Sequence, residues 1–277
     1  MAKIRKKINN DLYEAATNLN SIHNMYAKQK IGRHTSNKYQ FLTSTTKRLS
    51  KFMLNEAQRQ EPKIYRKFKR GALIFVEFGV NIGQEMSNRH WAIVLNKEDS
   101  VRKGTLTVVP ISSKSGWQSV KIDGLIATSA TSFIREYSRS NSIKMFLVME
   151  SLKNDPQYIY RNDDRFIDLY NKYHEMFADK ISDMEQPIID EAFIADLSIQ
   201  IDKSLDLAIH YDRFRKVSFA KCSDITTISK DRIIFKNNLD PCGKIVVSQE
   251  SLDRIDKKIA DLYIYINRFP LYKMWGG

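Results

Sequence analysis

Cysteine is nearly missing from this chain: there are two, Cys222 and Cys242, in 277 residues. That is too few for the disulfide framework of a small secreted domain. The two thiols lie twenty residues apart, with no second close pair and no histidine at ligand spacing, so they do not compose a zinc site. Long apolar runs are missing too, and without eighteen consecutive apolar residues no membrane span is expected. The basic N-terminus "MAKIRKKINNDLYEAA" leads into no apolar core and does not read as a secretory signal. No phosphate-binding loop, dinucleotide fingerprint or H-x-x-x-H pair appears, and no internal repeat or low-complexity tract. These absences describe a cytoplasmic globular protein that calls for no cofactor and no metal. The paired acids of "YRNDDRF", Tyr160 to Phe166, are read as the N-cap and first turn of a helix rather than as a metal-nuclease site.

Acidic residues are scarce in one place. Residues 1–70 hold 17 Lys and Arg against four Asp and Glu, whereas 71–277 hold 28 of each sign, so the whole net charge of +13 sits in the first quarter. A field of one sign attracts polyanions and speeds their arrival. The plainer reading is a solvated helical face.

The periodicity divides the chain. Leu12, Ala16, Leu19, Ile22 and Tyr26 recur at threes and fours, and after a connection over "IGRHTSNKYQ" a second helix carries Leu49, Phe52, Met53 and Ala57 to about Arg59. Residues 1–65 are therefore expected to form a helical hairpin with its basic residues outside. From Gly71 the pattern becomes that of short strands: "ALIFVEF", "HWAIVLN", "TLTVVPI" and then "WQSVKIDGLI". Hairpin-length loops between them point to a small antiparallel barrel or sandwich over 66–128. Residues 129–216 interrupt it with mainly helical segments, although "IKMFLVME" reads as a further strand. In the last of these helices Phe193, Leu197, Ile201, Leu205 and Ile209 offer a broad apolar surface, for which the N-terminal helices are the nearest partner. Strand character returns in "SDITTISKDRIIF" and "GKIVVS", and a C-terminal helix is expected after an N-cap at Ser248, with Leu252, Ile255, Ile259, Leu262 and Ile266 inward. Residues 217–277 thus hold the last strands and that helix.

The motifs that carry chemistry lie on the first strands. Gly71 opens a strand ending in "VEFG", Val76 to Gly79; Gly83 and Glu85 follow as "G-x-E"; then come Arg89, the apolar run Trp91 to Leu95, and "VVPISS", Val108 to Ser113. "DITTISKDRII", Asp224 to Ile234, forms a second, separate match. In this order the residues resemble the core of the PemK/MazF family of toxin endoribonucleases, over roughly 80 residues; the helical regions lie outside the resemblance. His90 stands where that family usually has proline, and Ser112 where it has a catalytic threonine. The resemblance implies an SH3-like barrel that dimerises, cuts single-stranded RNA without a metal, and is neutralised by a cognate antitoxin. It also implies that Arg89 and Ser112 are catalytic, with Ser113, Lys114, Glu85, Gly83, Trp117, Lys230 and Arg232 along the substrate groove.

The chemistry agrees with the residue types. Attack by a ribose 2′-hydroxyl needs alignment, proton transfer and stabilised charge on the phosphoryl oxygens. An arginine presents a rigid fork of donors to a phosphate, and preorganised donors act most strongly on charge that develops in the transition state. Arg89 is the expected phosphate holder, fixed by Glu85, and Ser112 the hydroxyl that donates to an oxygen or orients the sugar. The plain readings are a strand-end arginine and ordinary turn serines. His90 has the right ordinary pKa for an acid or base, yet as Arg89's neighbour on a strand it is expected to face away. Trp117 is a stacking candidate for a base, and Lys230 and Arg232 of "SKDR" are expected to face the groove or a dimer partner. The rival to a nuclease is an α+β binding module on the same barrel, holding RNA or a protein partner without cleavage, in a host-defence role such as phage defence.

Overall fold

The computed structural model describes residues 2–28, 37–157, 162–181 and 187–264. Residues 31–36 of the first expected connection, Tyr160 and Arg161 of the acidic loop, and Ile266 of the expected C-terminal stripe lie outside them. The chain divides into two compact units: 1–123 with 218–234 and 242–277, and 124–217 with 235–241. The fold is α+β, with six α-helices among the described residues and a six-stranded antiparallel sheet.

The first unit holds the sheet: β1 (Leu73–Glu77), β2 (Arg89–Val94), β3 (Thr105–Ser112), β4 (Ser119–Lys121), β5 (Phe219–Lys221) and β6 (Thr226–Ser229). The order is β1-β2-β3-β5-β4, with β6 also on β3. β3 is the organising strand. On one edge it pairs with β2, Ala92 opposite Pro110 and Val94 opposite Val108. On the other edge Thr105–Val108 meet β6 and Ile111–Ser112 meet β5. The change of partner brackets Pro110, which has no N–H to give to a ladder, and the 3-10 turn Cys222–Asp224 takes up the offset between β5 and β6. Ile74, Val76, Ala92, Val94 and Val108 are fully buried, and so is Ile93 on the opposite face of the pleat. Burial on both faces explains why these strands read as near-continuous apolar runs. The outer edge of β1 is met by isolated bridges, Val76 to Ile233 and Ala72 to Val246.

α1 (Ala2–Ala27) and α2 (Leu42–Ala57), the latter entered through a 3-10 turn at Asn37–Phe41, also belong to this unit. Most of the expected α1 stripe is exposed, Leu12 by 69%. α2 buries Leu42 and Thr45, with Arg48, Leu49 and Phe52 half-buried one and two turns on. Arg48 therefore lies on the inward face, against the expectation that the basic residues stay outside. Other charges of the basic quarter are also taken up internally: Arg59 and Lys63 pair with Asp231, and Arg70 with Asp256. α6 (Gln249–Tyr263) begins where the sequence places it, the Ser248 hydroxyl accepting from the Ser251 amide at 3.1 Å. Leu252 and Ile255 are its buried anchors.

The second unit is built from α3 (Ile126–Asn154), α4 (Asp164–Ile181) and α5 (Glu191–Asp212). "IKMFLVME" is not a strand but lies in the C-terminal half of α3, a 29-residue helix without glycine or proline. Its apolar residues look strand-like only in a short window; over the full helix Phe146, Leu147 and Met149 close on Tyr170 and Phe177 of α4 in one cluster. α5 finds a partner for its apolar surface in α3, within the same unit. Asn141 and Ser204 meet between these two helices in a buried hydrogen bond of 3.0 Å. No helix among the described residues is long and apolar enough to cross a membrane.

Lys230 corrects a further expectation. It does not face a groove: its side chain is 2% exposed, and Nζ donates to both Asp99 oxygens at 2.8 Å and to the Ser100 carbonyl at 3.0 Å. Burial alone would push the Asp99 carboxyl up, but the hydrogen bond and charge of Lys230, with the Phe68 amide, hold it below its ordinary value. This pair ties the turn after β6 to the β2–β3 loop. Removing one member strands a buried charge, so Lys230→Met is expected to cost about 3–5 kcal/mol in urea unfolding. A loss under about 1 kcal/mol would contradict the structural role.

Candidate functional site

Arg89 opens β2 directly opposite Glu77, the last residue of β1. Residues opposed in an antiparallel pair share a face, so Glu77 follows Leu73 and Phe75 onto the face of Trp91 and Ile93, where it is fully buried. A carboxylate there needs partners. Two guanidinium groups supply them: Arg89 Nε donates to Glu77 Oε2 at 3.2 Å, and Arg48 Nε of α2 donates to the same oxygen at 2.6 Å. Arg48 Nη2 also reaches the Thr45 hydroxyl at 3.4 Å. The acid that fixes Arg89 is thus Glu77 and not Glu85, which is exposed on the turn.

The β1–β2 loop is held from both sides. Gly79 and Gly83 have φ of +99° and +60°, a region open to glycine at no steric cost. Asn88 adopts φ of +69° just before Arg89. Lys38, ahead of α2, donates to the carbonyls of Asn81 at 2.5 Å and Gly83 at 3.0 Å. Arg232 donates from Nη1 to the carbonyls of Glu77 at 3.3 Å and Phe78 at 3.1 Å. Gly83 and Arg232 are therefore framework for the strand end that carries Glu77.

A cavity of about 540 Å³ opens at this point, with Glu77, Asn88, Arg89 and His90 on the sheet side and Thr45 and Arg48 on the α2 side. His90 also borders it, although its pairing with Val76 sets it on the other face of the pleat from Arg89. Burial lowers the His90 pKa, and Lys221 opposes its charge in the same direction; hydrogen bonds to the main chain at Ile111 and Ser87 offset part of this. The imidazole is consequently neutral at neutral pH. Two acceptor oxygens, Glu77 Oε1 and Asn88 Oδ1, are buried without a hydrogen-bond partner.

The other expected residues lie elsewhere. Ser112 ends β3 half-buried, and its hydroxyl accepts from the Lys114 amide at 3.0 Å. The β2–β3 register sets Ala92 opposite Pro110, so His90, two residues back, is the β2 residue in line with Ser112. Arg89 and His90 both border the cavity, but the register sets His90 and Ser112 on the other face of the sheet from Arg89 and Glu77, so the expected pairing of Arg89 with Ser112 is not formed. Ser113 and Lys114 are exposed, as is Trp117, 78% accessible with Lys258 Nζ 5.8 Å from its ring centroid. None of these three lines the cavity.

Sequence reasoning missed Glu77, Arg48 and Asn88. A signal existed for Glu77: an acid alternating with Leu73 and Phe75 in a strand bounded by apolar residues on both faces must be buried and paired. Among the described residues no group of three or more His, Cys, Asp or Glu is placed to hold a metal ion.

The lowered His90 pKa has a stability consequence. The unfolded chain binds a proton at about pH 6.5 that the folded chain resists, so stability falls as pH drops from 6.5 through the lowered value. His90→Asn is expected to flatten that loss in urea titrations at pH 7, 6 and 5; an unchanged slope would show that the imidazole titrates normally. A scan of protein-family models gives no match to this chain, and a search of curated proteins gives none either.

Proposed function

We propose that this protein is a cytoplasmic, metal-independent endoribonuclease that cuts single-stranded RNA by attack of the ribose 2′-hydroxyl. The observation that carries the reading is the placement of Arg89 and His90 on one cavity at the end of two antiparallel strands. The sequence resemblance supports it independently. We read the sheet as part of an SH3-like barrel, in keeping with the bridges that bring Ile233 and Val246 to the free edge of β1.

In this reading Arg89, held by Glu77, binds the scissile phosphate and offsets charge on its nonbridging oxygens. Arginine hardly deprotonates in a protein, so proton transfer falls to the neutral imidazole of His90. His90 takes the proton of the 2′-hydroxyl as O2′ bonds to phosphorus; the bond to O5′ breaks, the leaving O5′ takes a proton from water, and His90 returns its proton to solvent. A cognate antitoxin and a homodimer are the partners this reading implies. The second unit lies outside the resemblance and is assigned no part in the chemistry.

Purified protein is expected to cleave a mixed-sequence RNA in excess EDTA, giving a 2′,3′-cyclic phosphate and a free 5′-hydroxyl. Arg89→Ala is expected to lower the rate about 10²–10³-fold. The rate should fall on the acid side only below the ordinary histidine range, because His90 must be unprotonated to act. RNA that is bound but left uncut would replace this reading with the binding module.

A further inference from the structure

The cavity beside Arg89 has a wall that the sheet does not supply. Phe41 and Arg48 come from the 3-10 turn and α2, outside the stretch that carries the resemblance. Either α2 stops the cavity or it completes it.

Three observations favour completion. About 540 Å³ stays open with α2 in place, within the roughly 300–1,000 Å³ of small-ligand sites. A plug would fill that space. The lining carries two guanidinium charges, Arg48 and Arg89, against the single carboxylate of Glu77, so it holds one positive charge in excess. Arg89 spends Nε on Glu77, and Arg48 spends Nε and Nη2 on Glu77 and Thr45, yet a guanidinium has five N–H donors, and the side chains of Arg48 and Arg89 remain 29% and 43% exposed. Finally, Phe41 presents an exposed aromatic ring at the cavity.

A ligand that satisfies all three brings one negative charge, a flat ring and the bulk of a nucleoside. A phosphodiester carries one negative charge, and the base has a flat face to lay on the exposed ring of Phe41. We propose that α2 completes a single-nucleotide subsite, in which Arg48 joins Arg89 on the phosphate and Phe41 stacks the base. Glu77 is a positioning residue that aims both guanidinium groups. The proposal rests on the ribonuclease reading for its choice of RNA as the source of the nucleotide.

The test is calorimetric titration of the full chain with AMP, GMP, CMP and UMP, beside the matching nucleosides and inorganic phosphate. At least one monophosphate should bind, and at least tenfold more tightly than its nucleoside or than phosphate alone. Arg48→Met should weaken that binding about tenfold or more. Phe41→Ala, at an exposed site, should weaken it severalfold without lowering the melting temperature, which keeps the test open if Arg48→Met unfolds. Binding of no monophosphate, binding indifferent to both substitutions, or RNA cleavage that rises in Arg48→Met would overturn the proposal, the last in favour of α2 as a plug. Because binding is read without turnover, nucleotide binding with no RNA cleavage would sink the nuclease reading and leave the subsite standing, while cleavage with no nucleotide binding would do the reverse.

Discussion

A single buried carboxylate organises the candidate site. Glu77 sits at the end of β1 on a face otherwise made of Leu73, Phe75, Trp91 and Ile93, where a lone charge is strongly disfavoured. Two arginines from distant parts of the sequence, Arg48 and Arg89, converge on one of its oxygens. The other oxygen has no donor, a deficit of about 1–3 kcal/mol if nothing fills it. A buried ion pair is weak evidence for stability but strong evidence for orientation. Here it fixes the direction of Arg89, joins α2 to the sheet, and leaves the cavity with a net positive lining.

That arrangement changes the meaning of the basic N-terminal quarter. By composition it is a polyanion-attracting field; in the fold several of its charges are spent on specific partners. Lys38 secures the β1–β2 loop, Arg48 pairs with Glu77, and Arg59 and Lys63 share Asp231. The helical extension is thus bound to the chemistry-bearing end of the sheet by point contacts rather than by a diffuse field. Lys7 on α1 and Lys47 and Lys51 on α2 are exposed and available to act at a distance.

Much of the fold was legible because local signals and packing agree. Ser248 capped α6 as its position suggested, and the runs "LIFVE", "RHWAIV" and "TLTVVPIS" became β1, β2 and β3. The sequence misled where a short window hid a longer element, as in "IKMFLVME", whose helix only shows in the uninterrupted run from Ile126 to Asn154. The site was half legible. Arg89 could be singled out by its position between a glycine-containing turn and a buried strand. Its partner could not be singled out, because pairing Glu77 with Arg89 depends on strand register, and pairing it with Arg48 depends on a docking that no local pattern encodes. Lys230 misled for the same reason: a lysine in a turn looks exposed until the loop carrying Asp99 closes over it.

The central claim is that Glu77 holds both guanidinium groups at once, and arginine side-chain NMR reads it most directly. The account predicts two Nε–H signals, from Arg48 and Arg89, that exchange with water markedly more slowly than those of exposed arginines, both reverting to fast exchange in Glu77→Gln. Fast exchange at either position in the unaltered protein would contradict it.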